Sequence, residues 1–70
     1  MPAGLRFGEA RRLAEAFGFS ERRSRGSHRI FARHDIPELV TLQEVGGMAK
    51  PYQDRQLLRL VERYNRVLGD

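Results

Sequence analysis

The chain has 70 residues, no cysteine, two histidines and a formal net charge of +4. This length fits one small domain over residues 1–70, and the composition excludes disulfides and thiolate metal sites, so we expect neither a metal nor a small-molecule cofactor. Because no stretch has the apolar length of a signal peptide or a membrane span, we expect a cytoplasmic protein that does not bind membranes.

The first predicted element is a helix over residues 8–17. Four apolar residues recur there at the spacing of a single helix face: Ala10, Leu13, Ala14 and Phe17. Gly18 stands where a glycine in the left-handed conformation commonly ends a helix, and Phe19 would then pack back onto that helix.

Three strands are predicted in the middle of the chain. Residues 27–33 and 39–45 are rich in β-branched and aromatic residues. Residues 20–25 have weak strand propensity, and we predict a strand there because the following glycine favours a hairpin. Turns are predicted at the glycines Gly26, Gly46 and Gly47.

The last predicted element is a helix with Pro51 in its first turn and Gly69 as its end. Its apolar stripe consists of Leu57, Leu60, Val61, Tyr64 and Leu68. Asp54 and five further charged residues are expected outside this stripe. Tyr52 and Tyr64 could stack on bases, but we expect both to serve helix packing. The order of elements predicts an α+β fold, a three-stranded antiparallel sheet with both helices on one face.

The excess positive charge lies in residues 20–34, which contain a single acid, Glu21. The arginines of this segment are Arg22, Arg23, Arg25, Arg29 and Arg33. Arginine presents a planar set of donors that matches phosphate in two-point contact, so the cluster favours a polyanion. On charge alone, a solvated basic surface without a ligand is the alternative.

The hairpin predicts a pairing for the first histidine. If Arg25 and Gly26 form a two-residue turn, Arg23 lies directly opposite His28 and shares its face. Because side chains alternate, His28 and Phe31 point to opposite faces, and Phe31 is the better core residue. A histidine beside arginines can move a proton from an RNA 2′-hydroxyl while the arginines hold the phosphate, without a metal. A surface or packing role for His28 is the alternative.

Several short motifs follow one another at a typical spacing. They are Gly18-Phe19, Gly26-Ser27-His28, Ile30-Phe31, Ile36-Pro37-Glu38-Leu39, Leu42-Gln43-Glu44-Val45, Ala49-Lys50-Pro51-Tyr52-Gln53, Arg55-Gln56 and Leu60-Val61-Glu62-Arg63-Tyr64. In this combination the chain resembles the HicA toxins, also called YcfA-like proteins, over roughly residues 6–68.

The resemblance implies an α-β-β-β-α fold similar to double-stranded-RNA-binding domains. It also implies a metal-independent endoribonuclease that cleaves mRNA and arrests growth, and a HicB-type antitoxin as protein partner. The family's catalytic histidine corresponds to His28, and its frequent arginine five positions earlier to Arg23. Further residues expected to contact RNA are Arg25, Ser27, Arg29 and Lys50, with Gly26 shaping the turn.

The chain departs from the family at several positions. Arg33-His34 stands where a His-Pro pair commonly follows the strand. Arg29 stands where a second histidine is frequent, and Glu21 and Ser24 stand where the first strand is often apolar. Two alternatives therefore remain open: an RNA-binding module or decayed toxin without catalysis, and an interaction protein that acts in a toxin–antitoxin complex on DNA.

Overall fold

The computed structural model describes residues 4–67. They form α1 (Phe7–Ala16), β1 (Ser20–Arg25), β2 (His28–Arg33), β3 (Ile36–Val45), β4 (Met48–Ala49) and α2 (Pro51–Val67). The strands make one antiparallel sheet in the order β1-β2-β3-β4. The predicted α+β class is confirmed. The predictions for Leu68 and Gly69 lie outside the described residues.

The end of α1 is fixed by Gly18, as predicted. Its φ is +94°, which glycine adopts without a steric penalty. The Gly18 N–H donates to the Glu15 carbonyl at 2.9 Å, and the Phe19 N–H donates to the Ala14 carbonyl at 3.0 Å. This double hydrogen bond is the Schellman motif. It turns the chain so that Phe19, 2% exposed, enters the core.

The sheet has four strands, so the prediction of three is wrong. Two glycines with positive φ, Gly46 and Gly47, form the turn after β3, as expected for a tight hairpin. The chain then pairs with β3 for only two residues, too few to give a propensity signal. The chain before α1 supports this short strand, because the Ala49 N–H donates to the Leu5 carbonyl at 2.9 Å.

One core joins both helices to the sheet. Its buried members are Phe7, Ala10, Ala14, Phe19, Phe31, Ile36, Val40, Leu42, Ala49, Leu57 and Leu60. Phe31, Leu42 and Leu57 have no exposed surface, and their burial supplies the main driving force for folding. We call the sheet face that carries Phe31 and Leu42 the helix side, and the other face the open face.

Helix α2 begins at Pro51, as predicted, and buries Leu57 and Leu60. Asp54 departs from the prediction: it has no exposed surface instead of lying outside the stripe. Its Oδ2 accepts a hydrogen bond from the Leu5 N–H at 2.8 Å, so this carboxylate ties the start of the described chain to α2. No helix within residues 4–67 has the length and apolarity needed to cross a membrane.

Candidate nucleic-acid interface

The turn of the β1–β2 hairpin consists of Gly26 and Ser27, one residue later than predicted. Arg25 therefore pairs with His28, and Arg23 pairs with Ile30, so the prediction that Arg23 lies opposite His28 is wrong. Two-residue hairpin turns need a positive φ at their first central position. Gly26, with φ +57°, occupies that position, where an arginine would be strained.

His28 lies on the open face of the sheet. Phe31, three residues later, is fully buried on the helix side, and successive side chains of a strand alternate between faces. The residue opposite His28 on β3 is Gln43, which directly follows the fully buried Leu42. The predicted orientation of His28 away from the core is confirmed, and its side chain is exposed.

A bulge in β1 decides which charges share this face. Glu21 pairs with Phe31 and Arg23 pairs with Ile30, so Arg22 is an extra residue between them. In a regular strand Glu21, Arg23 and Arg25 would point to one face. With the bulge, Glu21 points to the helix side, whereas Arg23 and Arg25 lie on the open face with His28. The acid is thereby removed from the surface that carries the arginines.

Arg29 is separated from the other predicted RNA contacts. It pairs with Leu42 across the sheet, and its guanidinium carbon lies 6.0 Å from the centre of the Phe7 ring. Its Nη1 lies 3.3 Å from the Glu21 carboxylate. Arg29 therefore belongs to the helix side, and its positive charge is balanced locally by Glu21.

Arg33 is also engaged within the protein. Its Nη1 donates to the Phe17 carbonyl at 2.8 Å, and its Nε lies 2.7 Å from the Asp35 carboxylate. Desolvation raises the pKa of Asp35, but the hydrogen bond and charge of Arg33 contribute to holding that pKa below its ordinary value. Arg22 Nε donates to Ser20 Oγ at 3.1 Å. Of the predicted arginine cluster, Arg23 and Arg25 are the two that pair with open-face residues of β2.

A row of residues crosses the sheet at the level of His28. Arg25 pairs with His28, and His28 pairs with Gln43. Ala49 pairs with Glu44, so the following residue, Lys50, stands at the register position opposite Gln43. Two strand spacings put Lys50 roughly 10 Å from His28. The structure therefore brings Lys50 to the same end of the sheet as His28, and the exposed Ser27 lies at that end in the turn.

Two residues at this end were missed by the sequence reasoning. The Gln43 N–H donates to Gln53 Oε1 at 2.7 Å, because β4 ends before it could accept that hydrogen bond. The Nε2 of Gln53 donates to the Tyr52 hydroxyl at 3.3 Å. Tyr52 is 48% exposed, so its expected role in helix packing is wrong. Side chains alternate along a strand, so the residue after the core position Leu42 would have been assigned to the open face, together with His28.

The other predicted packing tyrosine, Tyr64, does pack against the core. Its hydroxyl donates to Glu38 Oε1 at 2.7 Å, and Arg63 Nη1 lies 2.9 Å from Glu38 Oε2. The hydrogen bond from Tyr64 is the main cause that holds the pKa of Glu38 below its ordinary value. This cluster joins α2 to β3 away from the row that contains His28.

Chemically, the open face offers the guanidinium groups of Arg23 and Arg25 and the imidazole of His28, and Lys50 adds an ammonium group at the same end of the sheet. Such a set can hold phosphate oxygens and transfer a proton beside them. In the part of the chain that the structure describes, no group of three or more His, Cys, Asp or Glu side chains is placed to hold a metal ion.

No family model matches the chain, and no curated protein or solved structure is significantly similar to it. The resemblance to HicA toxins therefore stays a prediction based on the motifs quoted above. The function is accordingly inferred from the residues of the open face.

Proposed function

We propose that this chain is a metal-independent endoribonuclease toxin of the HicA type that cleaves mRNA, with His28 as the acid–base residue. The observation that carries the proposal is the pairing of Arg25 with His28 on the open face, with Arg23 on the same face. All three side chains are exposed, so a polyanion can reach them together.

The chemistry requires only these groups and water. As the RNA 2′-oxygen bonds to the adjacent phosphorus, His28 takes the hydroxyl proton. The bond from phosphorus to the 5′-oxygen breaks, and that oxygen gains a proton from solvent, leaving a 2′,3′-cyclic phosphate. Arg25 and Arg23 bind the phosphate oxygens, whose negative charge increases in the transition state. Lys50 and Ser27 contact the neighbouring backbone.

The fold supports a substrate on this face. The helices and the buried side chains of the sheet share one core, and we take this arrangement to be that of a double-stranded-RNA-binding domain, with both helices on one face. The opposite face is then free for RNA. Arg29, which lies on the helix side, has no part in this mechanism.

A HicB-type antitoxin is the proposed protein partner in the cytoplasm, where mRNA is found. Val45 is 56% exposed, and alternation along β3 from the buried Leu42 places it on the open face. An antitoxin that covers this apolar side chain together with Arg23 and Arg25 would bury the substrate site.

An RNA-binding module without catalysis is the second candidate. Its support is that Arg23, Arg25 and Lys50 supply phosphate contacts that do not need proton transfer by His28. The two candidates predict the same binding and differ in whether the RNA is cut.

The test is incubation of the purified chain with mixed-sequence RNA in excess EDTA, beside His28→Ala. His34→Ala is the matched control, because His34 is an exposed histidine in the turn that follows β2. We expect the parent and His34→Ala to release fragments with cyclic phosphate ends. Loss of the acid–base group in His28→Ala should slow cleavage by about 10²–10⁴-fold and leave RNA binding intact.

Two results would contradict the nuclease proposal. Cleavage by His28→Ala at the parental rate would exclude His28 as the acid–base residue. Binding without cleavage by all three proteins would establish the non-catalytic module instead.

A further inference from the structure

Tyr52 presents an aromatic ring to solvent at the start of α2. It is 48% exposed, whereas Tyr64 in the same helix packs against the core. Helix packing therefore does not account for Tyr52. Lys50, at the end of the row that contains His28, stands two positions before Tyr52 in the chain.

The hydroxyl of Tyr52 is tied to the row that contains His28. Gln53 is 2% exposed, and its Oε1 accepts the Gln43 N–H at 2.7 Å. Both ends of the Gln53 amide are in use, since its Nε2 donates to the Tyr52 hydroxyl at 3.3 Å. Because Gln43 pairs directly with His28, this hydrogen-bonded chain places the Tyr52 phenol at the same end of the sheet as His28.

An exposed aromatic ring held in this way beside cationic residues suits a nucleobase. Bases of single-stranded RNA stack on aromatic side chains, while nearby lysine and arginine side chains bind the backbone. A buried amide that fixes the hydroxyl reduces the freedom that the ring would lose on binding. With the phosphate at Arg25 and His28, a base of the same strand can reach Tyr52.

We propose that Tyr52 is a base-stacking residue, and that it fixes the position of the RNA strand relative to His28. The inference rests on the proposed RNA-binding function and adds a substrate contact to it. Gln53 acts through Tyr52 as a positioning residue. The RNA segment at this end of the sheet is single-stranded, because a base within a duplex does not expose its face for stacking.

The test compares binding to a short oligouridylate with binding to the corresponding strand of abasic ribose phosphates. Both ligands carry the same charge, so their affinity ratio reports contacts to bases. The measurements use the His28→Ala background, in which cleavage is expected to be slow, together with Tyr52→Ala and Tyr52→Phe. Tyr64→Phe is the control for loss of a hydroxyl elsewhere in α2.

We expect the His28→Ala protein to bind the oligouridylate about 5- to 100-fold more tightly than the abasic strand. Tyr52→Ala should largely abolish this ratio. Tyr52→Phe should lower it only in part, because the ring remains while the hydroxyl that Gln53 holds is lost. Tyr64→Phe should leave it unchanged. Circular dichroism and thermal unfolding verify that each variant is folded.

An unchanged ratio in folded Tyr52→Ala would overturn the inference, as would an equal loss of affinity for both ligands, which indicates a merely structural role. The nuclease proposal fails separately. If the parent binds RNA without cutting it while the ratio depends on Tyr52, the nuclease is refuted and the stacking residue stands. Failure of every protein to bind either strand would overturn both.

Discussion

The assignment of Arg25 and Arg29 to opposite faces predicts different effects of two substitutions that change the net charge equally. Arg25 pairs with His28 on the open face, whereas Arg29 lies near Phe7 and Glu21 on the helix side. Arg25→Gln and Arg29→Gln each remove one positive charge and keep most of the side-chain stem. We expect only Arg25→Gln to weaken RNA binding through a lost phosphate contact.

The magnitude follows from counter-ion release. Each phosphate contact on a single strand contributes about 0.7 to the slope of log K against log salt concentration. Contacts by Arg23, Arg25 and Lys50 give a slope of about −2, and loss of Arg25 changes it to about −1.4. Between about 50 and about 200 mM salt, the parent should lose roughly 20-fold in affinity and Arg25→Gln roughly 7-fold.

The assay is a fluorescence-anisotropy titration of a labelled oligoribonucleotide at several salt concentrations, in the His28→Ala background. Arg29→Gln should keep the parental slope, and its thermal stability should change little because the Arg29–Glu21 pair is partly exposed. An equal reduction of the slope in both variants would refute the reasoning. The attraction would then depend on total charge, with no preference for the open face.

Two further predictions concern stability. Gly26→Ala should cost about 1–2 kcal/mol in urea unfolding, since φ is +57° and an added Cβ meets nothing within 4 Å. Gly8→Ala in α1 should have no such cost and should stabilise by up to about 1 kcal/mol. An equal loss of unfolding free energy in both variants would contradict the explanation from the positive φ of Gly26. The lowered pKa of Glu38 gives a stabilising contribution that is complete above its unfolded pKa, about 4.3, and is lost as the pH falls through the lower folded value. Glu38→Gln should therefore be less stable than the parent at neutral pH and lose this difference in acid, whereas a constant difference across the pH range would oppose this account.

Periodicity predicted the long elements of the fold well. Helix α1 begins and ends one residue earlier than predicted, and α2 begins at Pro51 as predicted. Both were predictable because each helix buries one regular apolar face in the core. The short β4 was not predicted because two residues give no propensity signal. It pairs with β3 and depends on a hydrogen bond to Leu5, which is distant in sequence. Asp54 was misassigned for the same reason: its hydrogen-bond partner, the Leu5 N–H, is 49 positions away.

The candidate site was predictable only in part. Alternation relative to Phe31 correctly placed His28 on the open face, since this depends only on strand geometry. The partner of His28 was wrong because a hairpin register depends on the turn, and a shift of one residue changes every pair. Nothing in the composition of residues 20–25 indicated the bulge that separates Glu21 from Arg23.

The bulge at Arg22 also determines where β1 can change in length. Removal of Arg22 would leave a regular strand in which Glu21 still points to the helix side and Arg23 to the open face. Removal of Ser24, which lies within the regular ladder, would instead turn Arg23 to the helix side, because Arg25 is held opposite His28 by the turn. Insertions and deletions along β1 thus have unequal consequences, and its length is as important as its composition for the charge of each face.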